Sequence, residues 1–401
     1  MTDLAQDIRA QLARQVAHWT AAAQRLGDLD DLAAPAAWKA LEDYLHLSLR
    51  HHLAGVVESL NRQAALLEPA LNAAESLDDL QVVRRKLLAF RRQFLRAETT
   101  LDFFADAINT RTSERMAAML RACDILAHRS MAQVLEPLGR ETPVVLTYLD
   151  KGLGASILKA GLRLWDGGIE NPVAAIKITR HNLYRPTSLI HEAGHQVAHI
   201  LGWNGELADA LAKGLARDHP GVADLWASWA SEIAADAFAF AHTGYASVAA
   251  LHDVLAGDAQ SVFRHRSGDP HPISYLRILL GVQMCHEFYG EGPWDSMARA
   301  WEAQYPVEQA SNHGLIREAK LAASQVITTT LRQPFRAFHQ RPLSVVIDPP
   351  RLVPPLGGDA AEVRGSSLHV GSFTLDEHIA LAGLVWPSKR TSSSSWDPQD
   401  C

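Results

Sequence analysis

Residues 187–203 contain the feature that most restricts what this chain can fold into, the pattern His191-Glu192-x-x-His195. In an α-helix, side chains four positions apart lie on one face about one turn from each other, so both histidines could face a single cation. Neutral imidazole is a good zinc ligand. Glu192 stands one residue on, at the edge of that face, where its carboxylate could take a proton from a water activated by the metal.

The residues around the two histidines favour a helix. Leu189 and Val197 are among the apolar residues that recur here at mixed three- and four-residue spacing. Pro186 suits a first helical turn, and Gly202 suits the residue just after the last turn. Gly194 costs about 1 kcal/mol relative to alanine in the middle of a helix. We therefore expect another backbone or a ligand to come close at Gly194.

A third protein ligand is needed, because a catalytic zinc site has three and keeps one position open for water. Without one, the segment would be a helix with two surface histidines. A third histidine would be expected six residues after His195, where the chain has Leu201. His199 lies one turn farther along the helix, too far to share the ion. Glu206 and Asp209 are acidic alternatives in the segment that follows.

The preferred third ligand lies in residues 226–240, whose alanine and aromatic content is typical of a buried helix. This segment carries Glu232 and Asp236 four positions apart, on one face. Carboxylates are rarely buried unless they are paired or bind metal, so Glu232 would complete the site. Asp236 could accept the free ring N–H of His191 or His195 and fix its tautomer. The alternative is an exposed stripe on an amphipathic helix, which the apolar neighbours disfavour.

Taken together, His191-Glu192-x-x-His195 and Glu232-x-x-x-Asp236 resemble the gluzincin clan of zinc metallopeptidases, which includes thermolysin-like and CaaX-prenyl-protease-like enzymes. The resemblance implies that His191, His195 and Glu232 bind Zn²⁺. It also implies that Glu192 is the general base and that Asp236 supports a ligating histidine. The chain departs from the pattern in two ways. Glu232 lies 37 positions after the second histidine, which is longer than the thermolysin-like spacing, and the membrane helices of the prenyl proteases are absent from the sequence.

A further polar group follows the second ligand segment. Two prolines bracket His271 and stiffen the chain around it, and Tyr275 and Arg277 come soon after. Peptide hydrolysis builds negative charge on the carbonyl oxygen, which a rigid donor beside the metal stabilises. We expect His271 to be this donor, with Tyr275 and then Arg277 as further candidates. An Asp-x-His-Pro segment followed by an arginine is similar to what some gluzincins carry. The alternative is a helix-entry turn that Asp269 caps.

Composition limits the remaining classes of function. The chain is 47% hydrophobic and 21% charged, as is usual for globular proteins, and its net charge of −7 gives no indication of a nucleic-acid partner. No run of 18 or more uncharged apolar residues predicts a membrane span, and the first residues lack a secretory pattern. Three widely spaced cysteines, Cys123, Cys285 and Cys401, fit a reducing compartment. We therefore expect a cytoplasmic protein.

The pattern of the whole chain predicts an α+β fold that is mostly helical. Residues 1–139 show helical apolar stripes and few helix breakers, which indicates a helical bundle. The resemblance covers residues 140–335, where it implies a zincin-like domain with a small sheet before the metal-ligand helices. It also implies that the edge strand of this sheet aligns an extended peptide by strand addition, and residues 173–180 are the candidate for that strand. Residues 336–401 are expected to form an irregular extension with a disordered tail.

These observations favour a zinc metallopeptidase that acts on a peptide or protein substrate. The alternative is a non-catalytic, zinc-binding scaffold, to which a partner protein could bind through the N-terminal helical domain. Retention of Glu192 argues against the scaffold, because a structural zinc site needs no base. Hydrolysis of a non-peptide amide is a third and weaker hypothesis.

Overall fold

The structure, a computed structural model, describes residues 3–152, 155–161, 171–183 and 186–347, with the backbone of 369–370 and 373–374. Most described residues are helical, and a three-stranded sheet lies among them, which confirms a mostly helical α+β fold. The predicted disordered tail lies outside the described residues.

In the described part of the chain, six α-helices precede the sheet. Their bounds are Asp3–Arg25 for α1, Pro35–Leu45 for α2, Leu49–Ala64 for α3, Leu67–Asn72 for α4, Leu77–Asn109 for α5 and Glu114–Leu135 for α6. The side chains of Ser76 and Asp79 form a capping box that begins α5. α2 ends at His46, which has a φ of 54°, and α3 begins three residues later.

The sheet has the strand order β1-β3-β2, with β1 at Val144–Leu149, β2 at Ser156–Leu158 and β3 at Val173–Ile178. β1 pairs with β3 in parallel, and β2 pairs with β3 antiparallel. The prediction that residues 173–180 form the edge strand is therefore wrong, because β3 is central and β1 and β2 form the two edges. Apart from Lys177, β3 is apolar on both faces, as is typical of a strand covered on both sides.

The sheet separates two hydrophobic cores, and successive residues of its strands alternate between them. Leu146 and Val173 pack into a core with helices α1 to α5. Val145 and Ile176 face the opposite way, into a core that contains α6 and the helices after the sheet. This alternation follows from the two-residue period of a β-strand. α6 thus packs with the elements that carry the predicted metal ligands.

A buried carboxylate joins the first helices to the sheet. Asp124 of α6 forms an ion pair with Arg111 at 2.8 Å and accepts a hydrogen bond from the Tyr44 hydroxyl at 2.9 Å. The same carboxylate accepts the backbone N–H of Thr147 in β1 at 2.6 Å. Four separate segments of the chain therefore meet at one charged group, whose burial is offset by these partners.

The chain after the sheet forms ten helices in the described part. Their bounds are Thr187–Leu201 for α7, Trp203–Leu215 for α8, Ala223–Ser228 for α9, Ala230–Thr243 for α10, Tyr245–Leu255 for α11, Ala259–Val262 for α12, Ser274–Tyr289 for α13, Pro293–Gln304 for α14, His313–Ile327 for α15 and Leu343–Val346 for α16. Pro186 directly precedes the first residue of α7, and Gly202, with a φ of 68°, directly follows the last residue, as predicted for this glycine. None of the described helices combines the length and the apolar character that crossing a membrane requires.

Candidate metal centre

The two helices with the predicted ligands, α7 and α10, pack closely at a glycine. A Cβ atom on Gly194 would lie 2.9 Å from the Cβ of Phe238 and 3.0 Å from the Cα of Ala235. These distances are shorter than normal carbon–carbon contacts, so only glycine fits there without a shift. The expectation of a close approach at Gly194 is confirmed, and the approaching backbone belongs to α10.

The close packing brings two imidazoles and a carboxylate together. His191 Nε2 lies 3.5 Å from Glu232 Oε2, and His195 Nε2 lies 3.2 Å from Glu232 Oε1. One potential ligand atom from each of the three residues lies within 4.8 Å of the other two. We call this group the metal centre. The sequence prediction that these residues from two separate helices meet is confirmed.

The spacing of the metal centre fits a single cation. Four ligands around an ion at the zinc–nitrogen distance of about 2.0–2.1 Å are separated by about 3.3 Å. The two distances between imidazole nitrogens and carboxylate oxygens lie close to that value. The side chains that supply these atoms are partly or fully buried. A buried carboxylate without a positively charged partner is unfavourable in free energy. The described residues could therefore hold a metal ion.

Asp236 and Arg277 fix the carboxylate side of the centre. Asp236 Oδ1 lies 2.9 Å from His191 Nδ1, so the predicted contact between this carboxylate and a ligating histidine is present. Arg277 of α13 donates to both Asp236 oxygens, at 2.6 Å and 2.7 Å, and lies 3.1 Å from Glu232. Burial raises the pKa of Asp236, but Arg277 and His191 outweigh that effect and lower it overall.

A positive charge is favoured at the metal centre even before an ion is considered. Burial lowers the pKa of His191, but hydrogen bonds to Asp236 and Glu232 outweigh it and raise this pKa to about 10. Burial likewise raises the pKa of Glu232, and contacts with His191, His195 and Arg277 lower it well below its usual range. The surroundings thus stabilise one added cationic charge between the rings and the carboxylate, which a proton or a metal ion can supply.

Glu192 lies beside the metal centre, and its side chain lines a cavity that the three ligand residues also line. Only 6% of Glu192 is exposed. Burial raises its pKa, the two neighbouring histidines lower it, and the net shift is upward. A carboxylate with a raised pKa accepts a proton more readily at neutral pH, as a general base must.

His271 approaches the metal centre from the loop before α13. Its Nε2 lies 3.6 Å from Glu232 Oε1, and its Nδ1 lies 2.8 Å from Asp269 Oδ1. Asp269 also accepts the backbone N–H of His271 at 3.0 Å, so this carboxylate orients the ring. A protonated ring held in this way would present Nε2–H to the cavity. The predicted position of His271 beside the metal ligands is thus observed.

Tyr275 requires a correction, since it does not line the cavity. Its ring is 3% exposed and packs against Phe263 with ring centroids 5.3 Å apart. Burial, followed by the charges of Glu302 and Glu308, raises the pKa of its hydroxyl to about 12. Residues two apart on a helix point in nearly opposite directions, so Arg277 faces the centre and Tyr275 does not.

The other candidates for a third ligand lie elsewhere. Glu206 binds Arg336 at 2.8 Å and the backbone N–H of Ala337 at 3.1 Å. Asp209 and His199 are exposed on α8 and α7. Each therefore has a surface position instead of a place among the ligand atoms.

A cavity of about 500 Å³ opens beside the metal centre. It is lined by residues of β2, α7, α10, α11 and α13, including the three ligand residues, Glu192 and His271. Cavities of this size accommodate small ligands or short peptide segments. The predicted ligands therefore face a space that a substrate could enter.

Sequence reasoning missed two groups at this site. Ser231 Oγ lies 3.3 Å from His195 Nδ1, and Lys159 of the chain after β2 lines the cavity. Ser231 precedes Glu232 directly, so its position could have indicated a contact with a ligating histidine.

Comparison with models of known protein families, with curated proteins and with solved structures found no match to this chain.

Proposed function

We propose that the chain is a zinc-dependent metallopeptidase with a zincin-like domain of the gluzincin type. The observation that carries the proposal is the convergence of His191, His195 and Glu232 next to Glu192, on the wall of one cavity. Two imidazoles and one carboxylate are a typical ligand set for catalytic zinc with an open position. A structural site would be closed by a fourth protein ligand and would need no neighbouring base.

The residues of the chain divide the work of hydrolysis. Bound zinc would polarise the peptide carbonyl and make water more acidic. Glu192 takes a proton from the attacking water and passes it to the leaving amine. His271, oriented by Asp269, donates a hydrogen bond to the carbonyl oxygen as negative charge builds there. Asp236 holds the ring of His191 in a fixed orientation.

Replacement of Glu192 by glutamine tests this assignment, because glutamine keeps the shape and removes the proton acceptor. Purified zinc-loaded protein is incubated with a broad peptide library, and products are identified by mass spectrometry with and without a chelator. The parent should cleave in a chelator-sensitive way, and Glu192→Gln should lose at least about 100-fold in rate while it keeps its zinc. A Glu192→Gln variant that cleaves as fast as the parent would refute the role of Glu192.

The scaffold alternative is separated by the same assay. A non-catalytic scaffold would bind zinc and leave the whole library intact, whether or not the chelator is present. The raised pKa of Glu192 and its position in the cavity favour the enzyme, because neither feature is needed to hold a structural ion.

A further inference from the structure

The cavity extends to both sides of the metal centre along α7. α7 and α10 run antiparallel, since Ser231 lies beside His195 and Asp236 lies beside His191, one turn earlier in α7. Residues later in α10 therefore lie next to the first turn of α7. Residues of that first turn line one end of the cavity. Lys159 lines the cavity near the other end of α7.

Lys159 is anchored near the last two turns of α7. The next residue, Ala160, exchanges two hydrogen bonds with the carboxamide of Gln196, from N to Oε1 at 2.9 Å and from Nε2 to O at 3.1 Å. The carbonyl of Lys159 also accepts the side-chain amide of Asn171 at 3.0 Å. Burial lowers the pKa of His199, which lies near the end of α7, and the positive charge of Lys159 lowers it further. The backbone of Lys159 is thus fixed relative to the helix that carries the ligating histidines.

Lys159 is partly buried and is one of the residues that line the cavity. Within the described ranges, it forms no ion pair with a carboxylate. Burial lowers its pKa, although the charges of Glu192 and Glu232 act in the other direction. A partly desolvated cation without a close acceptor gains free energy when an anionic group binds to it. Arg277 is less suited to this role, because its Nε and Nη2 already bind Asp236 and its Nη2 also lies 3.1 Å from Glu232.

The other end of the cavity is apolar. It is formed where α10, α11 and α13 meet, and we call it the apolar end. Its walls consist of Ala239, Phe240, Val248, Leu251, Leu280 and Met284. A Cβ atom on Gly281 would lie 2.8 Å from Val248, so α11 and α13 are already in close contact there. An apolar side chain would bury its surface at this end, at about 25 cal/mol per Å² removed from water.

We propose that the metal centre hydrolyses peptides that have an apolar residue on one side of the cleaved bond and a carboxylate on the other side. The apolar side chain lies in the apolar end, and Lys159 binds the carboxylate. Water adds across the C–N bond, so that one fragment leaves as a carboxylic acid and the other as an amine. The carboxylate is that of a free C-terminus or that of an acidic side chain. This inference rests on the proposed peptidase function.

Binding to the zinc-loaded Glu192→Gln variant tests the role of Lys159 without requiring hydrolysis. The probes are acetyl-Ala-Ala-Leu-Ala as the free acid, the same peptide as its C-terminal amide, and the amide of acetyl-Ala-Ala-Leu-Glu. We expect the free acid to bind at least about 10-fold more tightly than the first amide. Addition of Lys159→Met should remove this difference and Lys159→Arg should keep it. Tight binding of the glutamate probe would assign the side-chain carboxylate instead.

Equal affinity for all three probes would overturn the proposal, as would a preference for the acid that survives Lys159→Met. Cleavage by the parent is measured in parallel. If the parent cleaves nothing while the preference persists, the peptidase proposal fails and the carboxylate site stands. If the parent cleaves all probes equally well, the peptidase proposal stands and the carboxylate site fails.

The apolar end is tested with a probe in which serine replaces leucine. The leucine probe should bind about 10-fold more tightly than the serine probe, and Leu251→Gln should remove most of this difference. Leu225→Gln serves as the matched control, because Leu225 is also half-buried but lies outside the cavity lining. Equal binding of the leucine and serine probes by the parent would overturn the assignment of the apolar end.

Discussion

Replacement of Gly194 by alanine would insert a methyl group into the contact that aligns the metal ligands. The new Cβ would lie 2.9 Å from Phe238 Cβ and 3.0 Å from Ala235 Cα. Favourable carbon contacts lie at about 3.5–4.0 Å, so α7 and α10 must separate by about 0.5–1 Å. One of the two opposing atoms is backbone, and a rotamer change therefore cannot relieve the contact.

The expected effects on folding and on metal binding differ in size. Overpacking costs about 1–3 kcal/mol, and the higher helix propensity of alanine returns about 1 kcal/mol, so the metal-free protein should lose at most about 2 kcal/mol. The ligands of the metal centre lie on both helices, and metal sites tolerate distance errors of about 0.2 Å. A separation of about 0.5–1 Å exceeds this tolerance. We therefore expect Gly194→Ala to weaken zinc binding by at least about 10-fold.

The assay combines denaturant unfolding of the metal-free protein with competitive zinc titration of the folded protein. Gly55→Ala is the matched control, since a Cβ at Gly55, within α3, would meet no atom within 4 Å. This control should gain about 0.5–1 kcal/mol and bind zinc as the parent does. If Gly194→Ala binds zinc as tightly as the parent, the close packing of α7 and α10 does not position the ligands.

Two further predictions concern buried charge. Arg277→Met should lower the free energy of unfolding of the metal-free protein by about 3 kcal/mol, because it leaves the carboxylates of Asp236 and Glu232 without their cation. A loss below about 1 kcal/mol in denaturant unfolding would contradict this prediction. Burial lowers the pKa of His242 to about 3. As the pH falls below about 6.5, this histidine therefore takes up a proton in the unfolded chain only, and the free energy of unfolding decreases. The loss between pH 7 and pH 5 should be about 2 kcal/mol smaller in His242→Phe than in the parent, and equal pH profiles of the unfolding free energy would show that His242 is not held neutral.

The metal centre could be predicted because its evidence is local. Helical spacing alone places His191 and His195 on one face, and the apolar residues around Glu232 indicate a buried carboxylate. Gly194 marked the position of close packing without identifying its partner. In each case the pattern within one helix contained the necessary information.

The features that could not be predicted depend on contacts between distant segments. The order of the strands is set by pairing across the sheet, so β3 could be recognised as a strand but not as the central one. Lys159 is positioned through Ala160 and Gln196, which are 36 positions apart in the chain. The choice between Tyr275 and Arg277 depended on the rotational setting of α13, which the neighbouring helices determine.

The most direct test of the metal centre is the zinc stoichiometry and affinity of three proteins, measured by equilibrium dialysis against a competing chelator. The parent should bind one zinc ion per chain, and Glu232→Gln should lose at least about 100-fold in affinity, because it removes one of three ligands. Glu206→Gln, in which the acid bound to Arg336 is replaced, should bind as the parent does. If Glu232→Gln keeps the affinity of the parent, or if Glu206→Gln loses it, the centre is not formed by His191, His195 and Glu232.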